Sequence, residues 1–240
     1  MINSIYKIPK QLLSKGNTNS KTAKNNLESY ILYLSPAKQN NKSINLCPKA
    51  SKGCLAACLY TAGRGKFSNV KTARINKANY YINDKINFID QLTKEITKIA
   101  AKSIKQNKKI AIRLNGTTDQ DFIALIKKYN NIDLLNDKEY KNIIFYDYTA
   151  ILGKLKKYIN TNYHLTLSRK EDNEQDILKA LRFGGNVAAV FKNGLPQKYK
   201  GYKVIDGDKS DLEMIYNKNV ILGLTAKGDA KKDTSGFVLH

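Results

Sequence analysis

The chain has 240 residues and a mass of 27.1 kDa, and 42% of its residues are hydrophobic, which allows a sizeable core and excludes a disordered polypeptide. Its formal net charge of +22 favours polyanionic partners, of which nucleic acid is the commonest in a cell. No stretch approaches the roughly 18 uninterrupted apolar residues of a membrane span, and residues 1–10 lack the apolar run of a signal peptide. We therefore expect a cytoplasmic protein that does not enter a membrane.

The positive charge has a second explanation in the composition. Among the 42 basic residues the only arginines are Arg64, Arg74, Arg113, Arg169 and Arg182, and tryptophan is absent. Abundant Lys, Asn, Ile and Tyr are typical of an AT-rich genome, which raises the net charge without building a binding face. Because guanidinium groups are the preferred readers of phosphates and bases, the composition leaves both explanations open.

The first third of the chain predicts a polar arm, one strand, a cysteine loop and two helices. Residues 1–29 are polar and predict an N-terminal arm, while residues 30–240 predict a single α/β domain. Residues 30–35 are apolar and β-prone, and Pro36 ends this strand ahead of the cysteine loop at residues 47–58. Residues 68–79 and 84–105 have helical spacing, with an apolar stripe at Phe88, Leu92, Ile96, Ile99 and Ile104.

The rest of the chain alternates between strands and helices. Further strands are predicted at residues 110–114, 143–146, 164–167, 186–191, 203–206 and 220–224. Helices are predicted up to Tyr129 after a cap at Thr118 or Asp119, up to Tyr158, and over residues 175–183. This alternation predicts a full or partial (βα) barrel of about seven mostly parallel strands, with a TIM-like architecture. Residues 192–202 are too few for a helical crossover, so they predict antiparallel neighbours or an irregular connection.

All three cysteines of the chain, Cys47, Cys54 and Cys58, fall within the segment CPKASKGCLAAC. An odd number of cysteines without an export signal argues against a disulfide framework, and the clustering favours a metal site. Cys54 and Cys58 are one helical turn apart, and Lys49 and Lys52 favour thiolates. Three ligands suit a [4Fe–4S] cluster with one open iron, or a zinc ion that also recruits His164, and small buried cysteines without a metal remain the third alternative.

Polar residues gather immediately after the predicted strands. In a parallel α/β fold these positions share the carboxyl-terminal edge of the sheet with the cysteine loop, and active sites are built at that edge. The same residue types also serve as turn and cap residues, which explains any one loop by itself. The residues concerned are Asn115 and Asp119, Asp147 and Tyr148, Ser168 and Arg169, Asp206 and Asp208, and Thr225 and Lys227.

Several of these segments together resemble the phage-encoded family called gene product 88, over most of residues 30–238. The matching segments are YLSPA at residues 33–37, SKGC at 51–54, GRG at 63–65, RLNGTTD at 113–119, FYDYT at 145–149, YHLTLS at 163–168, VIDGD at 204–208, AKG at 226–228 and SGFV at 235–238. The organisation is in turn similar to radical-SAM enzymes, in which three cysteines after the first strand hold a [4Fe–4S] cluster, although the spacing here is C-x6-C-x3-C.

This second resemblance implies an enzyme and assigns roles to residues. Cys47, Cys54 and Cys58 would bind the cluster, whose chemistry belongs to the cofactor, and a reductant protein would be a partner. The loop containing Asn115, Gly116, Thr117 and Asp119 would bind S-adenosylmethionine (SAM). The substrate side would be lined by Asp147, Tyr148, His164 and Arg169. The sequence does not identify the substrate, and the basic, phage-like character of the chain favours a nucleotide or nucleic acid.

Two other functions remain open from the residues. A phosphoryl-transfer or nuclease-like enzyme would hold Mg²⁺ with Asp119, Asp147, Asp206 and Asp208, and the cysteine loop would then be structural. A non-enzymatic nucleic-acid-binding protein would use a zinc loop and its lysine-rich surface to bind phosphates.

Overall fold

The computed structural model describes residues 5–16, 27–58, 60 and 62–240. Within these residues ten strands and seven α-helices are assigned. The strands are β1 Leu13–Lys15, β2 Glu28–Leu32, β3 Ile110–Arg113, β4 Ile143–Thr149, β5 Tyr163–Ser168, β6 Asn186–Phe191, β7 Lys198–Tyr199, β8 Tyr202–Asp206, β9 Ile221–Thr225 and β10 Val238–Leu239. The helices are α1 Lys52–Ala56, α2 Ser68–Asn83, α3 Lys85–Lys105, α4 Phe122–Asn130, α5 Leu152–Tyr158, α6 Glu174–Arg182 and α7 Glu213–Tyr216.

The described chain divides into two compact units. The first contains residues 5–16, 27–48 and 67–145, and the second contains residues 49–66 and 146–240. Strand β4 begins in the first unit and ends in the second.

In the first unit the hydrogen-bonded strand order is β1-β2-β3-β4. Strands β2, β3 and β4 are parallel, as the sequence predicts, and β1 is antiparallel to β2. The predicted stripe of α3 is confirmed for Phe88, Leu92, Ile96 and Ile99, which are buried, but it is wrong for Ile104, which is 45% exposed.

Two features of the first unit differ from the local sequence signals. Helix α4 is capped by Asp121, whose side chain accepts a hydrogen bond from the amide of Ala124, and not by Thr118 or Asp119. The predicted N-terminal arm contributes β1 and buries Leu12 and Leu13, while residues 17–26 of that arm lie outside the described residues.

In the second unit the strand order is β4-β5-β6-β9-β8-β7, and β10 pairs in parallel with the end of β6. Strand β9 lies between β6 and β8 and is parallel to both, so the two strands joined by residues 192–202 are not neighbours. That connection contains β7, which pairs antiparallel with β8 as a hairpin. Strand β6 is buried at five of its six positions, which matches its continuous apolar sequence.

The barrel prediction is wrong. A barrel has no sheet edges, whereas among the described residues β1 pairs only with β2 in the first unit and β7 pairs only with β8 in the second, so the mostly parallel strands end at open edges. The alternation of strands and helices is common to barrels and open α/β sheets, and the insertion of β9 between β6 and β8 ends the sequential order that a barrel needs. In the described part of the chain, no helix is both long and apolar enough to cross a membrane.

Candidate functional site

Cys47 lies in the first unit, between the segment after β2 and the loop after β3. Its Sγ accepts a hydrogen bond from the amide of Ala37 at 3.4 Å and lies 3.6 Å from the carbonyl oxygen of Thr117, to which the thiol donates. Its own amide donates to Asn45 Oδ1 at 2.9 Å. The predicted metal ligand and the predicted cofactor loop are therefore neighbours at the carboxyl-terminal ends of β2 and β3.

The loop after β3 is held together by Asn115. The Asn115 side chain accepts hydrogen bonds from the amide of Gln120 at 2.7 Å and the hydroxyl of Thr118 at 3.1 Å, and its Nδ2 donates to the Gln120 carbonyl. Because Asn115 is 2% exposed, its side chain shapes the loop from inside. A Cβ on Gly116 would meet the ring of Tyr33 at 2.5 Å, so this position requires glycine.

The same loop is hydrogen-bonded to the segment just before Cys47 and to the segment that follows β2. The amide of Asp119 donates to the carbonyl of Leu46 at 3.0 Å, and Thr117 Oγ1 donates to the carbonyl of Leu34 at 2.5 Å. Asp119 is buried. The segment 45–47, the end of β2 and the loop 115–120 thus form one hydrogen-bonded set within the first unit.

Cys54 lies in the second unit on the short helix α1. Ser51 caps this helix, since its Oγ accepts a hydrogen bond from the amide of Cys54 at 3.1 Å. The carboxylate of Glu171 accepts hydrogen bonds from the Ser51 hydroxyl at 2.7 Å and from the Gly53 amide at 2.8 Å. Burial raises the pKa of Glu171, but the hydrogen bonds from Ser51 and the backbone outweigh it, so the pKa lies below its ordinary value.

Helix α1 packs closely on the ends of strands of the second unit. A Cβ on Gly53 would meet Phe237 Cβ at 2.8 Å and would clash with the side chain of Ser235. Ala57 joins a buried apolar cluster with Ala226, Ala230 and Val238, and Val190 at the end of β6 packs against that cluster. Cys54 is therefore held at the carboxyl-terminal edge of β6 and β9.

Cys58 follows the end of α1 and, like Cys47 and Cys54, is half-buried and forms no disulfide. Thiols in this environment have the donor chemistry that zinc and iron–sulfur clusters require. Among the residues that the structure describes, however, no three His, Cys, Asp or Glu side chains are grouped so that they could hold a metal ion. The thiols thus fit a cluster by their chemistry but do not form a preassembled three-ligand site.

Arg169, predicted on the substrate side, connects the end of β5 to the segment before β10 within the second unit. Its Nη1 donates to the carbonyl of Phe237 at 2.7 Å and to that of Gly236. It follows β5 and holds the segment that leads into β10. Because Phe237 also contacts α1, Arg169 indirectly positions the helix that carries Cys54.

Two predicted substrate-side residues are poorly placed for contact with a substrate. Asp147 is buried away from solvent, and His164 lies near the start of its strand, far from the carboxyl-terminal end. Asp147 is fully buried and accepts a 2.8 Å hydrogen bond from the hydroxyl of Tyr163. His164 is near the start of β5, about 13 Å from Ser168 at a rise of about 3.3 Å per residue. Burial, and the nearby charge of Lys218, lower the pKa of His164 below its ordinary value, which disfavours the protonated imidazole. Tyr148 is half-buried on β4.

The carboxylates of Asp206 and Asp208 lie in a turn and accept hydrogen bonds from nearby residues of the protein. Asp206 Oδ1 accepts from the amide of Asp208 at 2.8 Å, and the Asp208 carboxylate accepts from Lys227 at 2.6 Å and from the Thr225 amide at 2.7 Å. Burial raises the pKa of Asp208, but these bonds outweigh it and the net pKa is lowered. Because Lys227 already pairs with the Asp208 carboxylate, this carboxylate is a poor ligand for Mg²⁺, and the arrangement does not favour the Mg²⁺-dependent alternative.

Two residues that build the α1 environment have no role in the sequence-based prediction, namely Ser51, which appears there only in the SKGC segment, and Glu171. Ser51 could have been found, because a serine three residues before Cys54 is a common helix cap. Glu171 carries no local signal, because its partners lie 118 and 120 positions away.

A comparison with protein families gives a match to the model described as gene product 88 over residues 11–240. No curated protein and no solved structure gives a significant match. The match covers nearly the whole chain and both compact units.

Proposed function

We propose, from the premise that this chain belongs to the gene product 88 family, that it is an iron–sulfur-binding, radical-SAM-like phage enzyme that acts on a nucleotide or nucleic acid. The proposed cluster ligands are Cys47, Cys54 and Cys58, and the proposed SAM-binding loop is residues 115–119. One observation carries the proposal: Cys47 Sγ lies 3.6 Å from the carbonyl oxygen of Thr117, within that loop.

The environment of Cys47 supports a metal-binding thiolate. The amide of Ala37 donates to its sulfur, and hydrogen bonds of this kind stabilise negative charge on a cluster ligand and tune its potential. In the thiol form Cys47 donates its proton to the Thr117 carbonyl, and a metal that bound the thiolate would release that proton to solvent and leave this carbonyl without the Cys47 donor. The first unit therefore couples the ionisation of Cys47 to the loop after β3.

The environment of Cys54 supports a fixed ligand position. Ser51, Glu171 and the close packing of Gly53 hold a helix of only five residues that could not persist alone. A ligand carried on such a supported turn needs little reordering before it binds.

Because no three ligands are grouped among the described residues, we expect iron loading to rearrange the parts of the segment 47–58 that lie outside α1. When bound, a [4Fe–4S] cluster supplies one-electron chemistry to SAM. The contribution of the protein is to place Cys47 beside residues 115–119, to hold α1, and to offer Tyr148 and Arg169 as partly exposed substrate-side residues.

The test is anaerobic reconstitution with ferrous iron and sulfide. We expect the native chain to bind iron and acid-labile sulfide in equal amounts with visible charge-transfer absorption, and Cys47→Ser, Cys54→Ser and Cys58→Ser each to lose it. Leu55→Ala is the matched control, since Leu55 is 43% exposed on the same helix α1 and carries no thiol. A colourless protein that binds zinc, or cluster loading that survives every cysteine substitution, would reject the proposal.

A second measurement tests the SAM site separately. SAM titrated into the reconstituted protein should perturb the cluster spectrum, and Asp119→Asn should weaken that response while leaving the iron content unchanged. A cluster that is indifferent to saturating SAM would leave iron–sulfur binding in place and overturn the radical-SAM assignment.

A further inference from the structure

A basic hairpin lies at the edge of the sheet in the second unit and has no role in the proposed cluster site. We define it as residues 198–203, KYKGYK, which contain β7, a two-residue turn and the start of β8. Lys198 pairs directly with Lys203, and Tyr199 pairs with Tyr202. From Lys192 to Ile205 the sequence contains four lysines and no acidic residue.

The opposition of Lys198 and Lys203 is unfavourable in the isolated protein. Directly opposite side chains on an antiparallel pair lie on the same face with Cβ atoms about 4.5–5.5 Å apart, and like charges there repel. Both side chains are exposed. An anion bound between the two ammonium groups would turn this repulsion into attraction.

Protection of a sheet edge does not by itself account for this arrangement. Lysines on edge strands do block pairing with other chains, but very short edge strands achieve the same result, and β7 has only two residues. Blocking the outer strand also does not require a second lysine on β8.

A third lysine, Lys200 at the tip of the hairpin, also occupies an unfavourable position, because its backbone is left-handed. Lys200 and Gly201 have φ values of 52° and 84°, as in the type I′ turn, where Asn-Gly is the preferred sequence. Lys200 donates to Glu174 at 2.5 Å, and that hydrogen bond, the charge of Lys200 and the nearby charge of Arg169 lower the pKa of Glu174. The tip is thus held near Arg169, while Lys198 and Lys203 face solvent.

The two tyrosines lie on the opposite face from this lysine pair and serve packing. Tyr199 contacts Phe191 edge to face with ring centroids 5.9 Å apart, and both tyrosines are half-buried. The exposed face therefore offers positive charge without a stacking platform, which fits a phosphate backbone better than unstacked bases.

We propose that the lysine face of this hairpin, Lys198 and Lys203, binds the phosphodiester backbone of nucleic acid. A two-stranded β-ribbon is one of the elements that nucleic-acid grooves accommodate, and ammonium groups contact phosphates without reading sequence. Arg169, near the hairpin tip, also holds Phe237 against α1, so the bound strand would run towards the helix that carries Cys54. This inference goes beyond the proposed function, because binding here requires neither iron nor SAM.

The test is fluorescence anisotropy with a labelled single-stranded oligodeoxynucleotide and its duplex, over a series of salt concentrations, using the purified chain without added iron. The log–log salt slope changes by about 0.9 per phosphate contact for duplex and about 0.7 for single strands. We therefore expect Lys198→Ala/Lys203→Ala to reduce the slope by about 1.8 or about 1.4, respectively. The oligonucleotide whose affinity falls more in the double-alanine variant, single-stranded or duplex, is the form that the hairpin binds.

The matched control is Lys108→Ala/Lys109→Ala, which removes the same charge from exposed positions ahead of β3 in the first unit. We expect this control to change the slope by less than half as much, and Lys198→Arg/Lys203→Arg to bind like the native chain. Circular dichroism checks that each variant is folded. Failure of the native chain to bind either oligonucleotide, or equal losses in the two double-alanine variants, would overturn the inference without bearing on iron binding.

Discussion

The hydroxyl of Ser51 donates a 2.7 Å hydrogen bond to the carboxylate of Glu171, although the two residues are 120 positions apart in the chain. Glu171 also accepts from the Gly53 amide, and Ser51 accepts from the Cys54 amide. One carboxylate after β5 therefore satisfies the first turn of the helix that carries Cys54. The placement of this cysteine depends on a tertiary contact more than on local helix propensity.

Removal of this carboxylate should destabilise the fold. We expect Glu171→Ala to lower the free energy of unfolding by about 1–2 kcal/mol, because hydrogen bonds to a charged acceptor contribute about that much and the Gly53 amide loses its partner. Urea unfolding followed by circular dichroism measures the change. Glu139→Ala, at an exposed carboxylate of the first unit, serves as the control and should change the free energy by less than about 0.5 kcal/mol.

The same contact predicts a dependence on pH. The pKa of Glu171 is lowered from its ordinary value of 4.5, so its stabilisation is complete above that pH and is lost as the pH falls through the folded-state pKa. The difference in stability between the native chain and Glu171→Gln should therefore shrink in acid below pH 4.5. A difference that stays constant down to the acid transition would contradict the assigned hydrogen bonds.

Two glycines should respond in opposite directions to a single methyl group. Gly53→Ala places a Cβ 2.8 Å from Phe237 Cβ and 2.8 Å from Glu171 Oε2, so we expect a loss of about 1–3 kcal/mol of unfolding free energy. Gly153→Ala, on α5, meets nothing within 4 Å and should stabilise the protein by about 0.5–1 kcal/mol. Thermal unfolding of both variants provides the measurement, and a stabilised Gly53→Ala would refute the close packing of α1.

Seven of the ten assigned strands overlap strands predicted from sequence, because each of those seven contains a short apolar run that ends at polar turn residues, whereas the short strands β1, β7 and β10 carry no such signal. Residues 143–146 and 186–191 are clear examples, and both were found within three residues of their ends. Sheet closure could not be predicted, since it depends on which strands pair. The sequence order β6, β8, β9 gives no sign that β9 takes the place between the other two.

The candidate site could be predicted to a similar extent. Clustering of the cysteines and polar residues after strands predicts that the cysteine loop and the loop after β3 share one sheet edge, and Cys47 does lie against Thr117 of that loop, while the roles assigned to these residues stay predictions. The sequence also indicates at which end of a strand a residue lies, but it does not indicate whether the side chain is buried. Asp147 is a polar residue near a strand end, as expected of a site residue, yet it is fully buried and accepts a hydrogen bond from Tyr163. Long-range partners such as Glu171 become visible only in the folded chain.

The hairpin gives a stability prediction that is independent of any ligand. Replacing Lys198 by Glu converts its repulsion with Lys203 into a cross-strand ion pair, so we expect the free energy of unfolding to rise by about 0.2–1 kcal/mol at low salt. The gain should decrease at high ionic strength, because exposed charges are screened. Lys192→Glu, which has an exposed position outside the hairpin, is the control and should show a smaller gain.

The last prediction concerns stability at alkaline pH and depends on Lys77, which lies on α2 and contacts the N-terminal segment. Its Nζ donates to the carbonyl of Leu12 at 2.6 Å, and Glu95 accepts from the amides of Leu12 and Leu13. Burial lowers the pKa of Lys77 from 10.5 to about 8; the charge of Glu95 opposes this shift, and that of Arg74 adds to it.

Between pH 8 and 10.5 the unfolded chain therefore keeps a proton on Lys77 that the folded chain has released, and stability rises with pH across this window. At about 1.4 kcal/mol per pKa unit, the rise can reach at most about 3.5 kcal/mol. We expect Lys77→Met to abolish this rise relative to the native chain, whereas Lys98→Met, at an exposed position on α3, should retain it. Urea unfolding at intervals from pH 7 to pH 10, with subtraction of variant from native values, isolates the contribution of Lys77 from other groups that titrate there. Parallel pH profiles for the native chain and Lys77→Met would show that this lysine keeps its proton in the folded state.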